Sequence, residues 1–241
     1  VLADSKEIIM KAQINCLYWD NTNPKIVEYH QKVMNHFGIP VVYTNKNIHH
    51  GAWIDQVMST TDADITAFID SDCIPLTPDA IMESIKRCAD GYLVGNAQVT
   101  NCIKAKHDLF CAPSFLVVSK DYYNQIGAPS AINNKRSDVA QEITRAAVEK
   151  EKRIKMHFPT SFQSVPAGGI WRLSGYGSYG IGTIFDEKMY HLFQARFQKN
   201  VDLFINTCEC VLRNDLKTIN RQYDCKEEYA GILPIEDDYG Y

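Results

Sequence analysis

The 241-residue chain has no CxxC pair, no polybasic stretch and no apolar run near the length that spans a bilayer. Each absence excludes something. Without CxxC, neither a zinc ribbon nor a thioredoxin-like redox site is supported. With 25 basic against 29 acidic side chains, there is no positive field to draw nucleic acid or anionic lipid. The opening VLADSKEIIMKAQ lacks the basic start and apolar core of a signal peptide, so cytoplasmic placement is the expectation. There is also no internal repeat, low-complexity tract or linker, which predicts a single domain over residues 1–241. The eight cysteines are scattered, mostly within apolar runs, and read as buried thiols rather than disulfides.

What is present is a 45% hydrophobic chain, enough for a full core. Ile14 to Trp19 reads as a strand. Asn23 and Pro24 then form an N-cap and first-turn proline, followed by Ile26, Val27, Val33, Met34 and Phe37 at helical spacing and a stop at Gly38. Ile39 to Tyr43 is a second strand, and Ala52 to Ser59 a short helix. Ile65 to Ile69 is a third, wholly apolar strand. Thr77-Pro78 starts a helix with Ile81, Met82, Ile85, Cys88 and Ala89 inward. Strand and helix alternating with short connections predict βαβ units and an α/β fold on a mostly parallel sheet. The second half is less regular. Tyr92 to Val94, Phe115 to Val118 and Met189 to Phe193 read as strands, and Ser119 caps a short helix. Asp138 to Lys152 and Phe197 to Leu212 read as helices, Pro159 to Gly182 as loop-rich, and the tail from Asn214 turns acidic.

The most informative stretch is Ala63 to Leu76, ADITAFIDSDCIPL. If the strand continues through Asp70-Ser71-Asp72, its period of two points both carboxylates one way and Ser71 the other. The carboxyl end of a central parallel strand is where open α/β sheets bind ligands. Paired carboxylates are hard oxygen donors suited to Mg²⁺ or Mn²⁺, with substrate phosphates filling the remaining positions.

Phe68-Ile69-Asp70-Ser71-Asp72-Cys73-Ile74-Pro75 resembles the DxD segment of nucleotide-sugar-dependent glycosyltransferases of the GT-A fold. That resemblance implies a Rossmann-like, mostly parallel central sheet flanked by helices on both faces. Its N-terminal half would bind a nucleotide-diphosphate sugar, UDP-sugar favoured, and its C-terminal half a glycan or other hydroxyl acceptor. His191, after the glycine-rich Gly175 to Gly182, resembles the late histidine that completes the metal shell in many members. Asp70, Asp72 and His191 are then the expected ligands, and an imidazole favours Mn²⁺ over Mg²⁺. Asp20 with Asn21, Thr44 with Asn45, and Asp55 in His50-Gly-Ala-Trp-Ile-Asp55 occupy positions where members contact the nucleotide. Asp70 is expected on the ribose or the metal. Lys104, Lys106, Arg172 and Arg196 are candidates to neutralise phosphate charge. Asp138 is the expected base for an inverting reaction, with Glu142 as fallback; a retaining reaction needs no such base. Phe162, Trp171, Tyr176 and Tyr179 would form the acceptor side.

Three other readings compete. A DxD phosphatase places its motif near the N-terminus and usually has Thr or Val where Ile74 stands. A carbohydrate- or nucleotide-sugar-binding module would share the fold with a degenerate site. A sugar nucleotidyltransferase shares the topology but opens with a glycine-rich phosphate loop, which Asp20-Asn-Thr-Asn-Pro24 is not.

Overall fold

A computed structural model describes residues 10–100, 108–173 and 175–225. Its central sheet has six strands: β1 (Ala12–Tyr18), β2 (Val42–Asn45), β3 (Ile65–Ile69), β5 (Leu93–Val99), β6 (Leu109–Ser119) and β7 (Ile154–His157). The spatial order is β2-β1-β3-β6-β5-β7. β1 pairs in parallel with β2 and β3, and β5 with β7; β6 runs antiparallel to both β3 and β5. Five strands therefore share one direction and β6 opposes them.

Alternation along β3 divides the core. Ile65, Ala67 and Ile69 face α1 (Pro24–His36) and α3 (Asp79–Ala89). Phe68 faces α2 (His50–Thr60), α4 (Lys120–Gln125) and α5 (Gln141–Glu149). Helices thus cover both faces, which is why the strand reads as continuously apolar. The local signals hold at the helix starts: the Asn23 side chain accepts from the Lys25 N–H at 3.0 Å and Ser119 from the Tyr122 N–H at 3.1 Å, satisfying first-turn donors. No helix among the described residues is long and apolar enough to cross a membrane.

A second, antiparallel sheet is the main departure from expectation. It has the order β13-β8-β11-β12-β4, comprising β4 (Cys73–Pro75), β8 (Pro159–Ser164), β11 (Ile181–Phe185), β12 (Met189–His191) and β13 (Tyr223–Asp224). A two-residue ribbon, β9 (Trp171–Arg172) with β10 (Ser178–Tyr179), adjoins it. The loop-rich Pro159 to Gly182 therefore also carries strand β8, the ribbon and the start of β11. Pro75 extends a ladder, opposite Met189. α6 (Gln198–Leu212) packs Val201, Phe204, Cys208 and Val211 against this sheet.

Two helix expectations are also corrected. Met82 is 56% exposed, on the outer side of α3. The helix expected from Asp138 begins at Gln141, because Ala140 before it takes a positive φ of 64°, which interrupts helical winding. The seven described cysteines are free and buried; Cys102 and the acidic end of the tail lie outside the described residues, as do Lys104 and Lys106.

Candidate metal and nucleotide site

β3 stops at Ile69, and Asp70-Ser71-Asp72 forms the turn that carries the chain from the parallel sheet into the antiparallel one. The carboxylates converge through that turn, not through strand pleat. Three main-chain hydrogen bonds fix it: Asp70 N–H to the Ser114 carbonyl at 3.0 Å, Cys73 N–H to the Asp70 carbonyl at 3.0 Å, and Leu192 N–H to the Asp72 carbonyl at 2.9 Å. The last ties β12 to the turn, and pairing of His191 with Cys73 sets the histidine opposite the aspartates.

One ligand atom from each of Asp70, Asp72 and His191 lies within 4.8 Å of the others. His191 Nε2 is 3.3 Å from Asp72 Oδ1 and 3.8 Å from Asp70 Oδ2, whereas Asp70 Oδ1 faces His50 Nε2 at 3.6 Å. Partial burial pushes the Asp70 carboxyl up, reinforced by the Asp72 charge and opposed by His50 and His191. For His191, burial alone would lower the pKa; the charge and hydrogen bond of Asp72, aided by Asp70, raise it. Two carboxylates therefore crowd one buried imidazole, whose Nδ1 has no hydrogen-bond partner. A divalent cation fits this donor set: two hard oxygens and one nitrogen converge, and the aspartates face open space where substrate or water would complete the shell.

That open space is a cleft of about 790 Å³ running from the aspartate turn to the loop after β1. Trp19, Asp20, His50, Asp70, Asp72 and Arg196 are among the residues lining it. Asp20 Oδ2 accepts from Asn47 Nδ2 at 2.9 Å, and the Asp20 N–H donates to Asn47 Oδ1 at 3.3 Å. The Trp19 indole is 43% exposed, and its N–H donates to the Ile48 carbonyl at 3.0 Å. His50 opens α2 beside Trp53, with ring centroids 5.7 Å apart. The Arg196 guanidinium lies 5.1 Å over the Phe197 ring.

The structure thus gathers Asp20, Asp70, Asp72 and Arg196 along one cleft, with His191 behind the aspartates. Asn45, Asp55 and Asp138 are among the expected residues that do not line it. Asn45 pairs with Tyr18 at the end of β2. Asp55 Oδ2 accepts from the Ser130 hydroxyl at 2.6 Å and Oδ1 from the Ala131 N–H at 2.7 Å, anchoring the chain that crosses α2. Asp138 Oδ1 accepts from the Val139 N–H at 2.8 Å, and Gln141 Oε1 accepts from the Asp138 N–H at 2.8 Å, the local arrangement of a helix entrance. Glu142 is engaged by Ser137, Asn134 and Arg136; burial would raise its carboxyl, but these partners hold it below the usual range. Of the acceptor-side aromatics, Phe162 and Tyr179 are core residues, Trp171 is half-buried and Tyr176 is exposed. Arg172 is exposed on β9. Trp19 and His50, which line the cleft, and Asn47, which orients Asp20, have no assigned role in the sequence reading. Only the exposed tryptophan at a strand end carried a usable signal.

No protein-family model and no curated protein sequence matches the chain. Among solved structures it is similar to A197 from STIV, at 13% identity and a TM-score of 0.42, over 76% of this chain and 94% of that one. It is also similar to a Drosophila β-1,4-galactosyltransferase 7 mutant in complex with manganese, UDP-Gal and xylobiose (12% identity, TM-score 0.41, 61% of this chain). A third is mannosyltransferase PcManGT from Pyrobaculum calidifontis in complex with GDP-Man and Mn²⁺ (8% identity, TM-score 0.42, 61% of this chain). The chain spans 64% and 54% of the lengths of those two transferases. Its assignment as α/β with a mostly parallel, helix-flanked sheet rests on its own strand order and directions.

Proposed function

We propose that this chain is a metal-dependent glycosyltransferase that moves a sugar from a nucleotide-diphosphate donor, UDP-sugar favoured, to a hydroxyl acceptor. One observation carries the reading: the convergence of Asp70, Asp72 and His191 within 4.8 Å beside a cleft of about 790 Å³. The three side chains would hold Mn²⁺, or Mg²⁺ with less preference. When bound, such a cation supplies Lewis-acid stabilisation of the departing diphosphate. Trp19 offers a ring face to the base, with its indole fixed through the Ile48 carbonyl. Asp20, oriented by Asn47, offers its second carboxylate oxygen to base or ribose donors. His50 and Arg196 flank the position where diphosphate charge would lie. Trp171 and Tyr176 supply apolar faces for an acceptor sugar.

Among the described residues the carboxylates lining the cleft are Asp20, Asp70 and Asp72, and each has another role in this reading. That supports retention of anomeric configuration, in which a donor phosphate oxygen takes the acceptor proton, over inversion using Asp138. The test is calorimetric titration of UDP and GDP with Mn²⁺ or EDTA, followed by nucleotide-sugar hydrolysis, on wild type and Asp72→Ala. Metal-dependent nucleotide binding and turnover, both lost in the variant, are expected. Equal binding with and without metal would sink the assignment. Metal-dependent binding without turnover of UDP- or GDP-sugars would identify a binding module.

A further inference from the structure

A histidine that ligates a metal through one ring nitrogen is usually held in orientation by a hydrogen bond from the other. His191 has no such bond. Its Nε2 faces Asp72 at 3.3 Å and Asp70 at 3.8 Å, while Nδ1 is buried with no hydrogen-bond partner among the described residues. The torsion that turns a histidine ring is broad, so rotamer preference alone does not fix the plane of the imidazole. What flanks the ring must do so. Residues two apart on an extended chain share a face, and Phe193 stands two beyond His191. The bond from the Leu192 N–H to the Asp72 carbonyl carries the ladder one residue past β12, so that spacing is kept. The two rings meet edge-on, with centroids 4.1 Å apart and planes at 62°. That is inside the spacing of about 4.5–7 Å usual for aromatic pairs.

Phe193 is itself braced. Trp171 and Tyr179 lie against it with ring centroids 5.1 and 5.3 Å away, and it packs against buried residues of both sheets. It cannot swing aside without disturbing all of these neighbours. We propose that Phe193 is a positioning residue: wedged between His191 and the Trp171–Tyr179 pair, it holds the imidazole with Nε2 aimed at the cation, in place of a hydrogen bond at Nδ1. The inference rests on the metal site proposed above.

The test is Mn²⁺ titration of the whole chain, with free Mn²⁺ followed by electron paramagnetic resonance and each variant's melting temperature measured in EDTA. Phe193→Leu keeps an apolar filling but removes the ring, and should bind Mn²⁺ about tenfold more weakly, the typical cost of losing an outer support. Phe193→Tyr keeps the ring and should keep wild-type affinity. Phe204→Leu controls for general loosening. Phe204 is fully buried on α6, its ring 6.1 Å from that of Tyr190 on β12, so its loss should lower melting temperature and leave affinity unchanged. Wild-type Mn²⁺ affinity in Phe193→Leu, or in Phe193→Met if the leucine variant does not fold, overturns the proposal. Equal weakening in Phe204→Leu overturns it too. Failure of the wild-type protein to bind Mn²⁺ overturns the metal site itself, and this inference with it.

Discussion

At the residue scale, the proposed metal role of Asp70 sets ligand binding against folding. Its carboxyl is pushed up by burial and by the Asp72 charge, so the folded chain holds that proton to higher pH than the unfolded chain does. The sign follows from linkage: stability falls as pH rises from about 4 through the elevated folded value, and the deficit persists at neutral pH. Asp70→Asn should therefore be more stable than wild type at pH 7 in EDTA, by on the order of 1 kcal/mol. The gap should close as pH falls toward about 4, where the wild-type carboxyl is also neutral. Adding Mn²⁺ should reverse the order, because only wild type keeps the full ligand set. Thermal melts across pH with and without the metal check all three statements. A variant less stable than wild type at pH 7 in EDTA would refute the first.

At the scale of elements, α2 matters for how closely it approaches its neighbour. A Cβ on Gly51 would overlap the Ala131 carbonyl and sit 2.6 Å from the Ile132 Cα, and Asp55 clamps the same crossing chain. Gly51→Ala should cost about 1–3 kcal/mol by overpacking and, by displacing the adjacent His50, weaken nucleotide binding. Chemical denaturation and nucleotide titration of the variant would show both effects. That close approach could not be read from sequence, where Asp55 was indistinguishable from a nucleotide ligand. The first half of the fold was legible because Asn23, Pro24, Gly38 and the apolar run of β3 are local signals that local geometry obeys. Direction was not: Phe115 to Val118 is apolar whichever way β6 runs. The antiparallel sheet was missed because β8 and β11 carry inward polar groups. Gln163 donates to Thr207 at 2.9 Å, and Thr183 turns its hydroxyl onto the Gly180 carbonyl at 2.7 Å. Such buried pairs erase the alternation that marks a strand. The candidate cation-binding group was clearer, since Asp70, Asp72 and His191 converge. The residues lining the cleft around them depend on tertiary approach.

For the whole molecule, the aspartate turn is where one sheet becomes the other, and His191 reaches it from the second sheet. A cation held by all three side chains would bind the folded arrangement and not the unfolded chain. At a free concentration of one hundred times Kd it should stabilise the protein by about 2.7 kcal/mol. Scanning calorimetry with Mn²⁺ against EDTA reads this as an upward shift in Tm, absent in Asp72→Ala; an equal shift in the variant would show that the metal binds elsewhere. The same architecture sets the three tryptophans at three depths: Trp53 3% exposed under β3, Trp171 half-buried beside β10, and Trp19 43% exposed in the cleft. Only the last meets solvent along the path a nucleotide would take. The protein therefore carries its own optical reporter: long-wavelength, acrylamide-quenchable fluorescence belongs chiefly to Trp19, and a base laid on that ring should dim and shield it while the blue emission of Trp53 stays unchanged.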